Sequence, residues 1–218
     1  MNPDLRVIRE NIDAIIFDFG GVLFDIDYQA PVREFIKLGA KNFDTLYSKK
    51  AQSASFDQLE KGEISESDFW RGLSKVLEMD VTCAQMEQAW NSILIGIEPS
   101  RAVWLEEIQK VYRSFILSNT NSIHVRAFEQ MIDQDVGIRK FKNGFEKVYY
   151  SNEIGMRKPS AEIFNFVLEQ NSLDPKKTLF IDDSIQHVEG ARLAGLNAFH
   201  LDLEQTNIET VLKTWVPL

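Results

Sequence analysis

The chain has 218 residues, 44% of them hydrophobic and 26% charged, with a formal net charge of -9; this is enough for a well-buried core and one further small unit. Cys83 is the only cysteine, and His124, His187 and His200 stand far apart, so a disulfide framework is excluded and a zinc site is not expected. No basic cluster offers a groove for nucleic acid, and neither the charged opening MNPDLRVIRENID nor any later segment supplies the apolar run of roughly 20 residues that a membrane span requires; the expected setting is the cytoplasm.

The first predicted strand is DAIIFDF, Asp13 to Phe19, a nearly continuous apolar run that carries a carboxylate, Asp18, near its end and is closed by Gly20 and Gly21. Such runs are strands buried on both faces. The stretch 25–95 differs in character. Its aromatic and aliphatic residues fall at helical spacing, and SESDFWRGLSKVLEM, Ser65 to Met79, opens on a good N-cap and sets Phe69, Leu73, Val76 and Leu77 on one face. It reads as an all-helical insertion on short connections. Four more apolar runs follow, RSFILSNT (113–120), EKVYYSN (146–152), KTLFIDDS (177–184) and LNAFHLD (196–202), with helical patterns between them. That alternation predicts an α/β fold, a parallel sheet with helices on both faces.

Asp18, Ser118, Lys158 and the pair Asp182 and Asp183 fall at or just beyond the C-terminal ends of predicted strands, where open parallel sheets bind ligands. Each has an ordinary alternative. Asp18 before two glycines also describes a strand-terminal turn. Ser118, Asn119 and Thr120 offer a hydroxyl and free N–H groups that form a phosphate cradle or merely cap a helix. Lys158 sits in GMRKPSAEIF, with Pro159 expected in the first turn of a helix, and most lysines so placed are simply solvated. Asp182 and Asp183 would repel at a buried edge unless a cation lay between them. Mg2+ answers that need, since it takes oxygen ligands and commonly uses one or two carboxylates plus substrate phosphate; a helix N-cap is the equal alternative.

In combination and in this order, IIFDFGGVLFD, ILSNTN, GMRKP and FIDDS resemble the four motifs of the haloacid dehalogenase superfamily, and the insertion after the first resembles that superfamily's first class of helical cap. The resemblance covers the whole chain, and among members it is greatest to bacterial sugar-phosphate phosphatases. It implies a three-layer Rossmann-like core formed by 1–24 and 96–218, an inserted all-helical cap domain at 25–95, and Mg2+-dependent hydrolysis of a small phosphorylated metabolite such as a sugar phosphate. Carried over, Asp18 becomes the nucleophile that forms an aspartyl-phosphate. Ser118 and Asn119 would hold phosphoryl oxygens, and Lys158 would bridge Asp18 and the phosphate. The metal would take the carboxylates of Asp18 and Asp183 and the carbonyl of Gly20, with Asp182 acting through water.

The pattern departs from the family at Gly20, where most of its phosphatases carry an Asp that protonates the leaving oxygen. General acid-base help is worth about 10²–10⁴-fold, so its loss suits a substrate with a good leaving group, such as an anomeric phosphate. Asp25 aligns with a common downstream acidic position. A metal-independent 2-haloacid dehalogenase also lacks that acid, but would leave Asp182 and Asp183 uncompensated. A non-catalytic member that only binds a phosphorylated metabolite is the third reading, against which the retained Asp18 speaks. Phe69, Trp70, Trp90 and Tyr47 are candidates for a sugar pocket, although core packing is the commoner use of aromatics at helical spacing.

Overall fold

The computed structural model describes residues 8–41, 43–46, 54–78 and 80–213. Strand β1 (Ala14–Phe17) leads into β2 (Asp25–Ile26) and then five helices: α1 (Gln29–Lys37), α2 (Phe43–Leu46), α3 (Ala54–Glu60), α4 (Glu66–Leu77) and α5 (Cys83–Asn91). After β3 (Leu94–Gly96) the chain runs through α6 (Pro99–Gln109), β4 (Arg113–Ser118), α7 (Ser122–Asp135), α8 (Ile138–Asn143), β5 (Lys147–Tyr150) and α9 (Ser151–Ile154). It closes with α10 (Ala161–Gln170), β6 (Thr178–Asp182), α11 (Ile185–Leu193), β7 (Asn197–His200) and α12 (Ile208–Leu212).

All five apolar runs became strands of one parallel sheet, in the order β5-β4-β1-β6-β7. Their continuity has a direct cause. Ile15 and Phe17 of β1, with Ile116, Leu179 and Ile181, pack on one face against Trp104, Leu105 and Ile108 of α6 and Phe128 and Ile132 of α7. Ala14 and Ile16, with Phe115, Leu117 and Phe180, pack on the other against Ile163, Phe164 and Val167 of α10 and Val188 and Ala191 of α11. Successive side chains point to opposite faces and both faces are covered, so the middles of these strands are apolar and the polar residues, such as Ser114, Thr178, Ser118 and Asp182, fall towards their ends. Each fully buried aliphatic or aromatic side chain here contributes about 1.5–3 kcal/mol. The result is a three-layer Rossmann-like α/β fold.

The helices between β2 and β3 have a core of their own, built on Phe35, Phe43, Phe56, Phe69, Trp70, Leu73, Leu77, Met86 and Trp90, which Ile123 at the start of α7 joins to the sheet layers. Both crossings of the chain between the two units are held by one short antiparallel ribbon, with Asp25 opposite Gly96 and Ile26 opposite Leu94. In α4, Ser65 caps the helix as expected, accepting from Asp68 N–H. Its buried face differs from the expected one: Trp70 joins Phe69, Leu73 and Leu77 inside, and Val76 is 62% exposed. With Trp70 included, the stripe centres between Phe69 and Leu77, which leaves Val76 at its edge. No helix among the described residues is long and apolar enough to cross a membrane.

Candidate active site

Where β1 ends, the N–H of Asp18 donates to the Ile181 carbonyl at 2.8 Å, so the two strands leave the sheet in register and bring Asp18 beside Asp182. Lys158 reaches the same point from the loop between α9 and α10. It is completely buried, and its Nζ donates to Asp18 Oδ1 and to Asp182 Oδ2, each at 2.7 Å. The backbone of the lysine is clamped by Asn119, whose amide nitrogen donates to the Lys158 carbonyl and whose amide oxygen accepts from the Lys158 N–H, both at 2.9 Å. From behind, α11 presses on the next residue: a Cβ at Gly190 would lie 2.3 Å from the Pro159 carbonyl oxygen. Only a residue without a side chain allows that approach.

Pro159 itself departs from expectation. It lies outside the helix, joined to Lys158 by a cis peptide, and Ser160 caps α10 by accepting from Glu162 N–H at 3.3 Å. A side-chain oxygen takes the orphan amide there, so the helix starts after the proline.

Capping also resolves two open alternatives. Helix α7 is capped by Asn121, which accepts from the N–H groups of Ile123 and His124 at 3.1 Å. Thr120 is tied to Ser151, its N–H donating to Ser151 Oγ and its carbonyl accepting from it. Ser118 and Asn119 are therefore not needed as caps and line a cavity instead. At α11 the cap position is Ser184, so Asp183 does not serve there. Asp182 is wholly enclosed: Oδ1 accepts from Ser184 N–H at 2.7 Å, and His187 Nδ1 lies 3.0 Å from both carboxylate oxygens.

Carboxylate oxygens of Asp18, Asp182 and Asp183 lie within 4.8 Å of one another, and all three residues are buried. Burial, and then the charge of Asp182, push Asp18 up to about 8 against the pull of Lys158, with Asp183 adding to the rise. Asp182 goes the other way: burial opposes its charge, but Lys158 and His187 hold it down at about 2. Burial works against the Lys158 ammonium too, and the two aspartates outweigh it and raise its pKa. The Lys158 ammonium binds two of the three crowded carboxylates, Asp18 and Asp182, and a hard divalent cation with oxygen ligands fits the remaining negative charge. The turn after β1 is shaped to it: Gly21 has φ 84, and a Cβ there would stand 2.8 Å from Asp183 Oδ2.

A cavity of about 370 Å³ lies between the strand ends and the helical unit. Asp18, Ser118, Asn119, Lys158 and Gly20 line it from below; Tyr28, Asp57, Glu60 and Trp90 line it from above. Asp182 and Asp183 stand behind its wall. At Gly20 a Cβ would lie 3.1 Å from Ile26 Cδ1, so an apolar methyl borders the space an acid at this position would need. Asp25 is no substitute, being paired with Arg101 at 2.9 Å away from the lining. Of the candidate aromatics, Trp90 borders the cavity, Phe69 and Trp70 are core, and Tyr47 lies outside the described residues.

Several lining residues escaped the sequence reading. The wide spacing of His187 from the other histidines argues only against zinc, whereas its ring meets Asp182 five residues before it. Arg157 stands beside Lys158 in the third motif, where nothing local distinguishes it from a solvated arginine. His124 stacks on Trp90 at 4.9 Å with its Nδ1 2.9 Å from Asn91 Oδ1, and burial pushes its ring down to about 3, so it is neutral. Asp57 and Glu60 had no local signal at all.

Fold and site together define a parallel-sheet α/β hydrolase with a helical insertion over the strand ends. The model of the haloacid dehalogenase-like hydrolases matches residues 12–195, and the chain belongs to that family. It is 31% identical over 188 residues to a D-ribitol-5-phosphate phosphatase of Bacteroides thetaiotaomicron, a match covering 86% of this chain and 91% of that one. A crystal structure of a family enzyme from the same organism, in complex with magnesium and inorganic phosphate, superposes with a TM-score of 0.77 at 32% identity, covering 88% of this chain and 95% of the other. A HAD-like family hydrolase from Porphyromonas gingivalis gives 0.81 at 28% identity, covering 95% and 100%.

Proposed function

We propose that this chain is a Mg2+-dependent phosphatase of small sugar or polyol phosphates that works through an aspartyl-phosphate on Asp18. In this reading 1–24 and 96–218 form the catalytic core, and 25–95 is the cap that encloses the substrate. The observation that carries it is the buried Lys158 ammonium held between Asp18 and Asp182 at the floor of the cavity. Support comes from the relative named for D-ribitol 5-phosphate and from the similar structure that holds magnesium and phosphate.

The Asp18 oxygen not bound to Lys158 attacks phosphorus while the ester P–O bond breaks. The departing alkoxide takes its proton from water, because Gly20 supplies none. Water then attacks the phosphorus of the aspartyl-phosphate and gives up its proton to the hydroxide left by the first step; the bond to Asp18 breaks, inorganic phosphate leaves and the carboxylate is restored. Lys158, kept protonated by its two aspartates, neutralises transferring oxygens. Ser118 and the N–H of Asn119 hold the others, and Asp182 keeps Lys158 and His187 in place. Held by Asp18, Asp183 and the Gly20 carbonyl, with Asp182 acting through water, Mg2+ would supply the positive charge that lets one anion attack another. The relative's substrate leaves as a primary alkoxide, so the proposal is not restricted to anomeric phosphates.

The test is phosphate release from p-nitrophenyl phosphate and from D-ribitol 5-phosphate. Turnover with Mg2+ that disappears with EDTA and in Asp18→Asn is expected. Chloride release from 2-chloropropionate in EDTA would establish a dehalogenase instead, and binding of phosphate esters without any turnover would establish the non-catalytic reading.

A further inference from the structure

Asp57 and Glu60 stand three positions apart on α3 and so share one helical face. Both meet Arg157, the residue before Lys158: its Nη1 lies 2.5 Å from Asp57 Oδ1 and its Nη2 2.8 Å from Glu60 Oε2. All three line the cavity. Arg157 and Glu60 are largely withdrawn from water, their side chains 21% and 12% exposed, while Asp57 at 42% stands at the rim; the Nε of Arg157 is buried without a hydrogen-bond partner among the described residues. Taking an ion pair out of water costs free energy that the pair itself often fails to recover. Phosphate transfer on Asp18 makes no use of the cluster, since two carboxylates repel a phosphate.

The rest of the lining narrows what the cluster is for. Trp90, Ile93 and Leu94 present apolar surface to the same cavity. A ligand complementary to both has C–H faces and polar edges. Carboxylates paired with a guanidinium accept hydrogen bonds, and the guanidinium only donates; a hydroxyl is a neutral partner that both donates to the first and accepts from the second. A hydrocarbon or aryl chain would cover these groups and give them nothing, and sites built for hydroxyls reject ligands that lack them for that reason. At about 370 Å³ the cavity is at the small end for ligand sites.

We propose that Asp57, Glu60 and Arg157 form the hydroxyl-reading end of the substrate site and select polyhydroxylated phosphate esters over apolar ones, with the phosphate at the Lys158 end. This rests on the phosphatase reading and adds which residues choose the substrate. Because Arg157 precedes Lys158, the same contact sets the cap acids in fixed register with the reacting group.

The experiment compares kcat/KM for D-ribitol 5-phosphate and for n-pentyl phosphate, a chain of the same length without hydroxyls, in the wild type, Glu60→Gln, Asp57→Asn and Arg157→Lys. The wild type should favour the polyol ester at least tenfold. In the two neutral variants that ratio should fall by roughly tenfold to a hundredfold, the worth of a hydrogen bond to a charged group, and chiefly through KM for the polyol ester. Arg157→Lys, which keeps the charge, should retain part of the preference. A wild type that hydrolyses both esters equally, or variants in which both esters fall together, would overturn the inference and leave the phosphatase reading intact. Failure of the wild type on these esters and on p-nitrophenyl phosphate would overturn both.

Discussion

Asn119→Ala is the most informative single change at this site, because it removes nothing from the carboxylate cluster and yet unfastens the lysine that serves it. The side chain makes two hydrogen bonds of 2.9 Å to the backbone of Lys158. Their net worth is about 1 kcal/mol each, and leaving a buried N–H or carbonyl without a partner costs about 1–3 kcal/mol. A loss of about 2–4 kcal/mol follows, or a fall in Tm of roughly 5–15 °C for a domain of this size. Catalysis should suffer beyond stability, since a misplacement of about 1 Å in a positioned group costs on the order of 10²-fold. The assay is kcat and KM for p-nitrophenyl phosphate at a temperature where the variant is folded, with urea unfolding alongside. We expect kcat to fall about 10–100-fold with KM changed less. Asn119→Asp, which keeps the acceptor for Lys158 N–H and loses the donor, should lie between. A variant whose kcat stays within threefold of wild type, or whose loss is confined to KM, would refute the clamp and make Asn119 a phosphate ligand only.

Gly21→Ala places a methyl 2.8 Å from Asp183 Oδ2 at a backbone φ of 84; the Mg2+ concentration for half-maximal activity should rise at least tenfold, the scale of disturbed ligand orientation, and an unchanged Mg2+ titration would separate Asp183 from the metal. His124, held neutral by burial with its pKa down at about 3, binds its proton more readily unfolded, so its contribution is intact above its ordinary value of about 6.5 and is lost as pH falls towards 3. At pH 5 the loss is about 2 kcal/mol. Urea unfolding of wild type and His124→Gln should therefore converge between pH 6.5 and 4; parallel curves would contradict this. Arg126 ties α4 and α5 to α7 through Glu66 and Glu87 at 3.0–3.1 Å but is 54% exposed, so Arg126→Ala should cost under about 1 kcal/mol and less in high salt; a loss above about 2 kcal/mol would show a bridge stronger than its exposure permits.

The apolar runs ending near Asp18, Ser118, Tyr150, Asp182 and His200 announced the sheet, because a strand covered on both faces is apolar along nearly all its length, and that rule needs no knowledge of partners. The insertion between them was equally plain from its helical spacing and from caps such as Ser65. What neighbouring residues could not express was choice. By their neighbours alone Ser118 fits a helix cap better than a ligand and Asp183 fits either equally, but Asn121 and Ser184 hold those cap places. Trp70 displaced Val76 because the packing partner of α4, which the helix alone does not reveal, sets the centre of its buried face. Lys158 and Asp18 are 140 positions apart, and Arg157 is 100 from Asp57. Contacts at such separations follow from strand register and from how the helical insertion packs on the sheet layers, and these emerge only when the whole chain buries its apolar surface at once.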